Sequence, residues 1–281
     1  MQSDTGFQIF DLHQHIGSFD AGGGDGTHSY THDDDFRARS AAMDRFGLRA
    51  AVAMPSLQYA RPRGFADTQA LNDGIARYRD RHRERFPVAL GTVQPLDPAE
   101  MSVGEIARMS GELKLDGVVW HHRFQSAWIS DRRMHPLLDA CAKHQMVVFI
   151  HVISDSNMES PVMMEELYEA HPDVKFVALD PLTGFTQNRY VMHLAKRCPN
   201  LLFDTALNLG AGRSIEEFVH KNGSERLLFG TDLYLAPDPL YVYPHVLREV
   251  LDAPTLSDDD RRNIFWNNAA RLFPRALSVS A

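Results

Sequence analysis

MVVFIHV, residues 146–152, sets five apolar side chains in unbroken succession and closes them with a histidine. A run of that length without polar alternation is what a strand shows when both its faces are covered, as in a parallel sheet with helices on one side and a packed interior on the other. Similar runs lie to either side: LDGVVWHH (115–122) and VKFVALD (174–180), then FPVALGTV (86–93), LRAAVAMP (48–55), FQIFDLH (7–13), NLLFDTAL (200–207) and RLLFGTDL (226–233). Between them fall stretches with helical spacing. DRRMHPLLDACAKHQ places Met134, Leu137, Leu138 and Cys141 on one face, with Asp131 as candidate N-cap, and SIEEFVHKNG has acidic residues in its first turn and Gly223 as candidate C-cap. The later runs recur roughly every 26 to 30 residues, about one βα unit. Eight such units joined by right-handed crossovers predict an α/β fold, a single (β/α)8 TIM barrel with its active site at the C-terminal ends of the strands.

The totals agree. The 281 residues are 44% hydrophobic and 23% charged, enough for a large core, and no Pro/Gly/Ser-rich linker divides them, so one domain over 1–281 is expected. The net charge of −8 is scattered, which leaves no nucleic-acid footprint and points to a small-molecule substrate. No apolar run approaches the roughly 20 residues of a membrane helix, and the opening MQSDTGFQIFDLH lacks a basic segment followed by an apolar one, so a cytoplasmic protein without membrane contact is expected. The two cysteines, Cys141 and Cys198, lie in helix-like segments and read as reduced packing residues.

Two segments exceed ordinary loop length, and both follow strands on the face where barrels build their sites: GSFDAGGGDGTHSYTHDDD (17–35), expected as a mobile flap, and SLQYARPRGF (56–65). At the far end LSDDDRRNIFWNNAARLFPRAL (256–277) reads as two helical pieces, one capped by Ser257 and one starting near Asn268, packed outside the barrel.

The first run ends in Asp11-Leu12-His13-Gln14-His15. Side chains two apart on a strand share a face, so His13 and His15 can offer two nitrogens to one cation. The fifth run ends in His151 and the eighth in Gly230-Thr231-Asp232. A lone histidine is more often a hydrogen-bonded core residue and a lone aspartate a loop cap; three imidazoles and a carboxylate at the same level of one barrel make a nitrogen/oxygen set for one divalent metal ion, Zn²⁺ first, with Mn²⁺ or Fe²⁺ as alternatives.

With DLHQH near the start, FIH ending at His151, LLFGTD ending at Asp232 and NIFWNNAARLF (263–273), the chain resembles the amidohydrolase superfamily, in particular its branch of aminocarboxymuconate-semialdehyde and γ-resorcylate type decarboxylases and small lactonases. The resemblance spans essentially the whole chain. It implies His13, His15, His151 and Asp232 as ligands of a divalent metal, usually zinc, with Asp232 also taking a proton from the activated water. In that family a homodimer is a plausible assembly, for which no motif here speaks. The sixth run departs from the family: Asp180 stands where a histidine is usual. A carboxylate there could serve as a second base, or it could simply cap the loop before Pro181.

His121, His122 and Arg123 after the fourth run, and Arg61 and Arg63 after the second, are candidates to bind substrate; arginines there could hold a carboxylate through paired hydrogen bonds, or could instead be solvated or paired with the acidic flap. The leading expectation is a metal-dependent hydrolase attacking an ester, lactone or amide of a small, carboxylated molecule, favoured by Asp180 in place of histidine. The alternatives are a metal-dependent non-oxidative decarboxylase on the same scaffold and a metal-free binding barrel.

Overall fold

In the computed structural model, residues 5–17, 31–56, 63–208, 213–235 and 245–277 are described. The strands are β1 (Phe10–Asp11), β2 (His15–Ile16), β3 (Ala50–Pro55), β4 (Val88–Gly91), β5 (Gly117–Trp120), β6 (Val147–His151), β7 (Phe176–Leu179), β8 (Leu202–Asp204) and β9 (Leu227–Leu228). From β3 to β9 each pairs in parallel with the next, and β1 and β2 both pair with β3. The helices between and after them are α1 (His32–Phe46), α2 (Phe65–Arg81), α3 (Ala99–Gly111), α4 (His122–Gln125), α5 (Met134–Lys143), α6 (Val162–Ala170), α7 (Phe185–Arg197), α8 (Ser214–Asn222) and α9 (His245–Leu251), followed by two short ones near the C-terminal end. The seam closes through backbone bonds between the first and last strand segments: Leu12 N–H to Phe229 O (2.9 Å), Asp232 N–H to His13 O (2.9 Å) and His15 N–H to Leu233 O (3.0 Å). The result is the expected (β/α)8 TIM barrel.

Two local differences from the sequence reading have physical causes. The first run is not one strand: Phe10 and Asp11 face Ala50 and Ala51, whereas His15 and Ile16 face Met54 and Pro55, so the segment between them carries one residue more than its partner. That is a bulge, a device that re-aims side chains beside active sites. Asp11 makes it, because its Oδ1 accepts the His13 N–H at 3.0 Å and removes that donor from the ladder. At the other end, Ser257 does cap α10 (Asp258–Arg262), but a π-turn over Asn263–Asn267 then feeds α11 (Asn268–Leu272), which does not lie outside the barrel. Ala269, Ala270, Leu272 and Phe273 join the interior cluster of Phe10, Val52, Leu90, Val119, Phe149 and Leu228, plugging the end opposite the site, with Phe273 stacked 6.3 Å from Phe149. Burying such a ring contributes ~1.5–3 kcal/mol.

Smaller expectations resolve simply. Gly223 ends α8 at φ 81°, a conformation open to glycine. Asp131 is not a side-chain cap of α5, because its carboxylate is taken up by the Arg133 N–H and guanidinium. Cys141 and Cys198 are free and buried. Of the segment expected as a flap, residues 18–30 lie outside the described residues. The remainder, from Thr31 onward, starts α1 with a capping box in which Thr31 and Asp34 each accept the other's N–H. Among the described residues no helix is long and apolar enough to cross a membrane.

Candidate metal centre

Period-two alternation explains how distant residues meet. Along β6, Val147 and Phe149 point into the barrel and His151 follows in the same phase; along β9 the sequence is Leu228, Gly230, Asp232; along β5 it is Val119, then His121. Each interior file is apolar until the C-terminal end of its strand and polar there. The donor atoms of His13, His15, His151 and Asp232 all lie within 4.8 Å of one another, and the four residues are buried. Nε2 of His13 and Nε2 of His15 are 3.0 Å apart, and Asp232 Oδ1 is 3.2 Å and 3.1 Å from them.

The opposite nitrogen of each ring is spoken for. His13 Nδ1 donates to Asp204 Oδ2 at 2.7 Å, His15 Nδ1 to the Pro55 carbonyl at 2.8 Å and His151 Nδ1 to the Trp120 carbonyl at 2.8 Å. Since these acceptors have no hydrogen to give, Nδ1 carries it in each ring and Nε2 keeps a lone pair for the shared centre. His151 Nε2 has no hydrogen-bond partner although it is buried, and Asp232 Oδ1 is likewise unpartnered. Burying such groups without a partner is costly, and a cation between them removes the cost. Electrostatics agree: burial first, and the neighbouring imidazoles next, hold His151 well below its ordinary pKa, and burial lowers His15 despite the Asp232 charge, so both stay neutral as ligation requires. His13 differs: burial opposes a charge on it, but Asp180, Asp232 and Asp204 outweigh burial and raise its pKa well above 6.5. That charge in turn overcomes burial at Asp232 and keeps its carboxylate ionised, so a cation binding here takes the place of a proton on His13. The donor set fits a divalent cation.

Asp180 follows β7 at φ 58° and Asp232 follows β9 at φ 61°. Holding a non-glycine residue in the left-handed region costs about 1–3 kcal/mol, less for aspartate, and sites that keep such strain are often functional. Asp180 Oδ1 is 3.8 Å from His13 Nδ1, and both its oxygens are buried without a partner. Burial, then the charge of Asp232, raises its pKa well above the ordinary carboxylate range.

Of the expected substrate residues, the structure brings one to the centre. His121 stacks on His151 with ring centroids 4.0 Å apart and planes 10° apart, and its Nδ1 donates to Glu159 Oε1 at 2.5 Å. His122 is fully buried with neither ring nitrogen bonded. Arg123 does not offer a free fork: its Nε donates to Glu159 Oε2 and its Nη2 to Asp155 Oδ1, both at 2.5 Å. Arg63 is exposed and bonded to Asp67 one helical turn on, and Arg61 lies outside the described residues. Sequence reasoning passed over Asp204, Glu159, Arg39 and Tyr234, which stacks on His15 at 4.3 Å. Asp204 carried a usable signal, since it ends the apolar start of NLLFDTAL as His151 ends its own run.

A buried quartet of three imidazoles and a carboxylate at the mouth of a (β/α)8 barrel defines the class: a barrel enzyme built around a divalent cation. The sequence model of the amidohydrolase family matches residues 10–275, and the chain belongs to that family. No curated protein matches it. Among solved structures it resembles the manganese-bound 5-carboxyvanillate decarboxylase of Novosphingobium aromaticivorans (TM-score 0.67, 16% identity, covering 96% of this chain and 97% of that one). It also resembles the 2,6-dihydroxybenzoate decarboxylase of a Rhizobium (0.67, 16%, 95% and 99%) and a TIM-barrel protein of Bordetella bronchiseptica (0.69, 16%, 96% and 99%). At these identities the likeness is one of fold.

Proposed function

We propose that the chain is a metal-dependent, non-oxidative decarboxylase of a small carboxylic acid, with His13, His15, His151 and Asp232 holding one divalent cation. Bound there, the cation supplies Lewis acidity, fixing and polarising the substrate's carboxylate end. Replacing carboxylate by hydrogen requires a proton on carbon, and we assign its delivery to Asp180, a reading supported by its burial beside His13 and by the preference of a buried carboxyl for its protonated form. The carbon–hydrogen bond forms with the Asp180 proton, the bond to the carboxylate breaks and leaves its electron pair on the substrate carbon, carbon dioxide departs, and Asp180 is reprotonated from solvent. Asp204 meanwhile fixes the His13 ring, and His121, held by Glu159, walls the site beside His151.

The observation that carries this reading is a second buried carboxylate beside the quartet, Asp180, whose Oδ1 lies 3.8 Å from His13 Nδ1 and whose two oxygens have no hydrogen-bond partner, with burial favouring its protonated form while Asp232 is held ionised. Environments that separate two such groups assign one as acid and the other as ligand and base. The resemblance to barrels named as 5-carboxyvanillate and 2,6-dihydroxybenzoate decarboxylases supports the same reaction and an aromatic acid as substrate. Manganese gains weight over zinc for the same reason, the donors being compatible with both. A hydrolase remains the second reading, because the ionised Asp232 could instead take a proton from water attacking an ester or lactone. The deciding assay measures carbon dioxide and titratable acid from a panel of hydroxylated aromatic acids and lactones in deuterated water. Carbon dioxide release with one solvent deuteron on the product carbon is expected; acid release from a lactone without carbon dioxide would overturn the proposal in favour of hydrolysis.

A further inference from the structure

We infer that Arg39, on α1, is a positioning residue that sets the geometry of the metal ligands by clamping the seam of the barrel. Three of the four ligands, His13, His15 and Asp232, come from the two chain segments that meet at that seam, where four backbone hydrogen bonds join them around one isolated bridge, Gln14 with Leu233, instead of a regular strand pairing. Arg39 lies over the junction with no exposed surface. Its Nη2 donates to the His15 carbonyl at 2.7 Å, and its Nη1 to the Leu233 carbonyl at 3.4 Å and to Gln14 Oε1 at 3.1 Å. One guanidinium therefore grips the main chain of a ligand on the first segment and the residue after a ligand on the last. The Leu233 carbonyl also accepts the His15 N–H at 3.0 Å, so the clamp reinforces the bond that joins the two segments.

The clamp is itself held. Asp35, one helical turn earlier, accepts from Arg39 Nε at 2.8 Å and Nη2 at 2.9 Å. Tyr78 Oη donates to Asp35 Oδ1 at 2.9 Å and the Gly17 N–H to Oδ2 at 3.2 Å. A planar fork with fixed donor directions suits this task, and a lysine cannot span the same set of acceptors. Buried ion pairs are poor sources of net stability because of desolvation, and their better attested contribution is to specify geometry. The network extends on the other side of Gln14, whose Nε2 donates to Asp11 Oδ2 at 2.7 Å, while Thr231 Oγ1, next to Asp232, donates to the same oxygen at 2.6 Å. Arg39, Gln14, Asp11 and Thr231 thus form one continuous brace from helix α1 to both ligand-bearing segments.

The inference rests on the reading of the quartet as a metal centre, and its test uses cobalt, whose visible spectrum reports ligand geometry. Two variants separate positioning from folding: Arg39→Lys, which keeps the charge and loses the fork, and the charge-neutral double variant Asp35→Asn/Arg39→Met, which leaves no buried ion unpaired. Apo-protein of each is titrated with Co²⁺ against a competing chelator, with circular dichroism to verify the fold. Affinity weakened about 10- to 100-fold, as for other residues that orient ligands, together with an altered visible band in folded protein, is the expected result. Wild-type affinity and spectrum in the folded variants, with the loss confined to thermal stability, would overturn it. Should the double variant not fold, Arg39→Lys carries the test. Failure of the wild type to bind Co²⁺ would overturn the metal reading and this inference with it, whereas failure of the inference alone shows only in the variants.

Discussion

Asp204→Asn isolates one hydrogen bond behind the metal ligands. In the wild type, Asp204 Oδ2 accepts the His13 Nδ1 hydrogen at 2.7 Å while Oδ1 accepts the Asp180 N–H at 2.9 Å and the Ala206 N–H at 3.3 Å. An asparagine amide has one acceptor oxygen, so either orientation turns its NH2 against a donor. If the oxygen faces His13, the Asp180 N–H loses its acceptor; if it faces Asp180, His13 is released to rotate or change tautomer. All the groups are buried, and a buried donor left unsatisfied costs about 1–3 kcal/mol. Removing the group that orients a ligating histidine weakens metal affinity about 10- to 100-fold, equivalent to ~1.4–2.8 kcal/mol. Chelator competition on wild type and variant, with circular dichroism as the folding control, measures the loss directly. A folded Asp204→Asn protein with wild-type metal affinity would refute the reasoning that Asp204 fixes His13 for ligation.

Gly230→Ala attacks the same contact from the other side: a Cβ there would lie 2.8 Å from Asp204 Oδ2 and 2.9 Å from His13 Cβ, so a stability loss of about 1–3 kcal/mol in urea titration, with weaker metal binding, is expected, and an unchanged midpoint would contradict it. Asp232→Asn is expected to fold and to lose turnover and tight metal binding together; near-wild-type turnover would remove Asp232 from the chemistry. His122 provides a pH test away from the quartet. Burial drives its pKa from 6.5 down to about 4 against the opposing charges of Glu159 and Asp131, so between those values the unfolded chain takes a proton that the folded chain refuses. Stability contributed by its neutral form is present above 6.5 and lost as pH falls, up to about 3 kcal/mol near pH 4. His122→Phe should shrink the gap between denaturation midpoints at pH 7 and at about pH 4.5 by that mechanism, and an equal gap in both proteins would count against it.

The barrel was legible because parallel strands covered on both faces leave unbroken apolar runs, and the runs survive even where hydrogen bonding is sparse, as at the eighth, of which only Leu227 and Leu228 form a regular strand. The bulge at His13 was not legible, since it depends on the Asp11 side chain capturing a backbone N–H. The ligand cluster could be read because each member ends an apolar run in the same phase. Asp204 gives the same signal and was passed over because what distinguishes it is a contact with His13, 191 residues away. Two of the three arginines have acidic partners that differ in legibility: the partner of Arg63, Asp67, stands at helical spacing and was visible in the sequence, while Glu159 and Asp155 reach Arg123 only through the tertiary fold. The final helix was misplaced because its apolar face fits the outside of a barrel as well as its open end, and pattern alone does not distinguish them.

The central claim is that His13, His15, His151 and Asp232 hold one divalent cation. Elemental analysis of the purified protein, alongside His151→Ala prepared identically, tests it most directly. About one equivalent of a divalent transition metal per wild-type chain and a large loss in the folded variant are expected. A wild-type protein without stoichiometric metal after supplementation with manganese or zinc, or a variant that keeps its full complement, would contradict it.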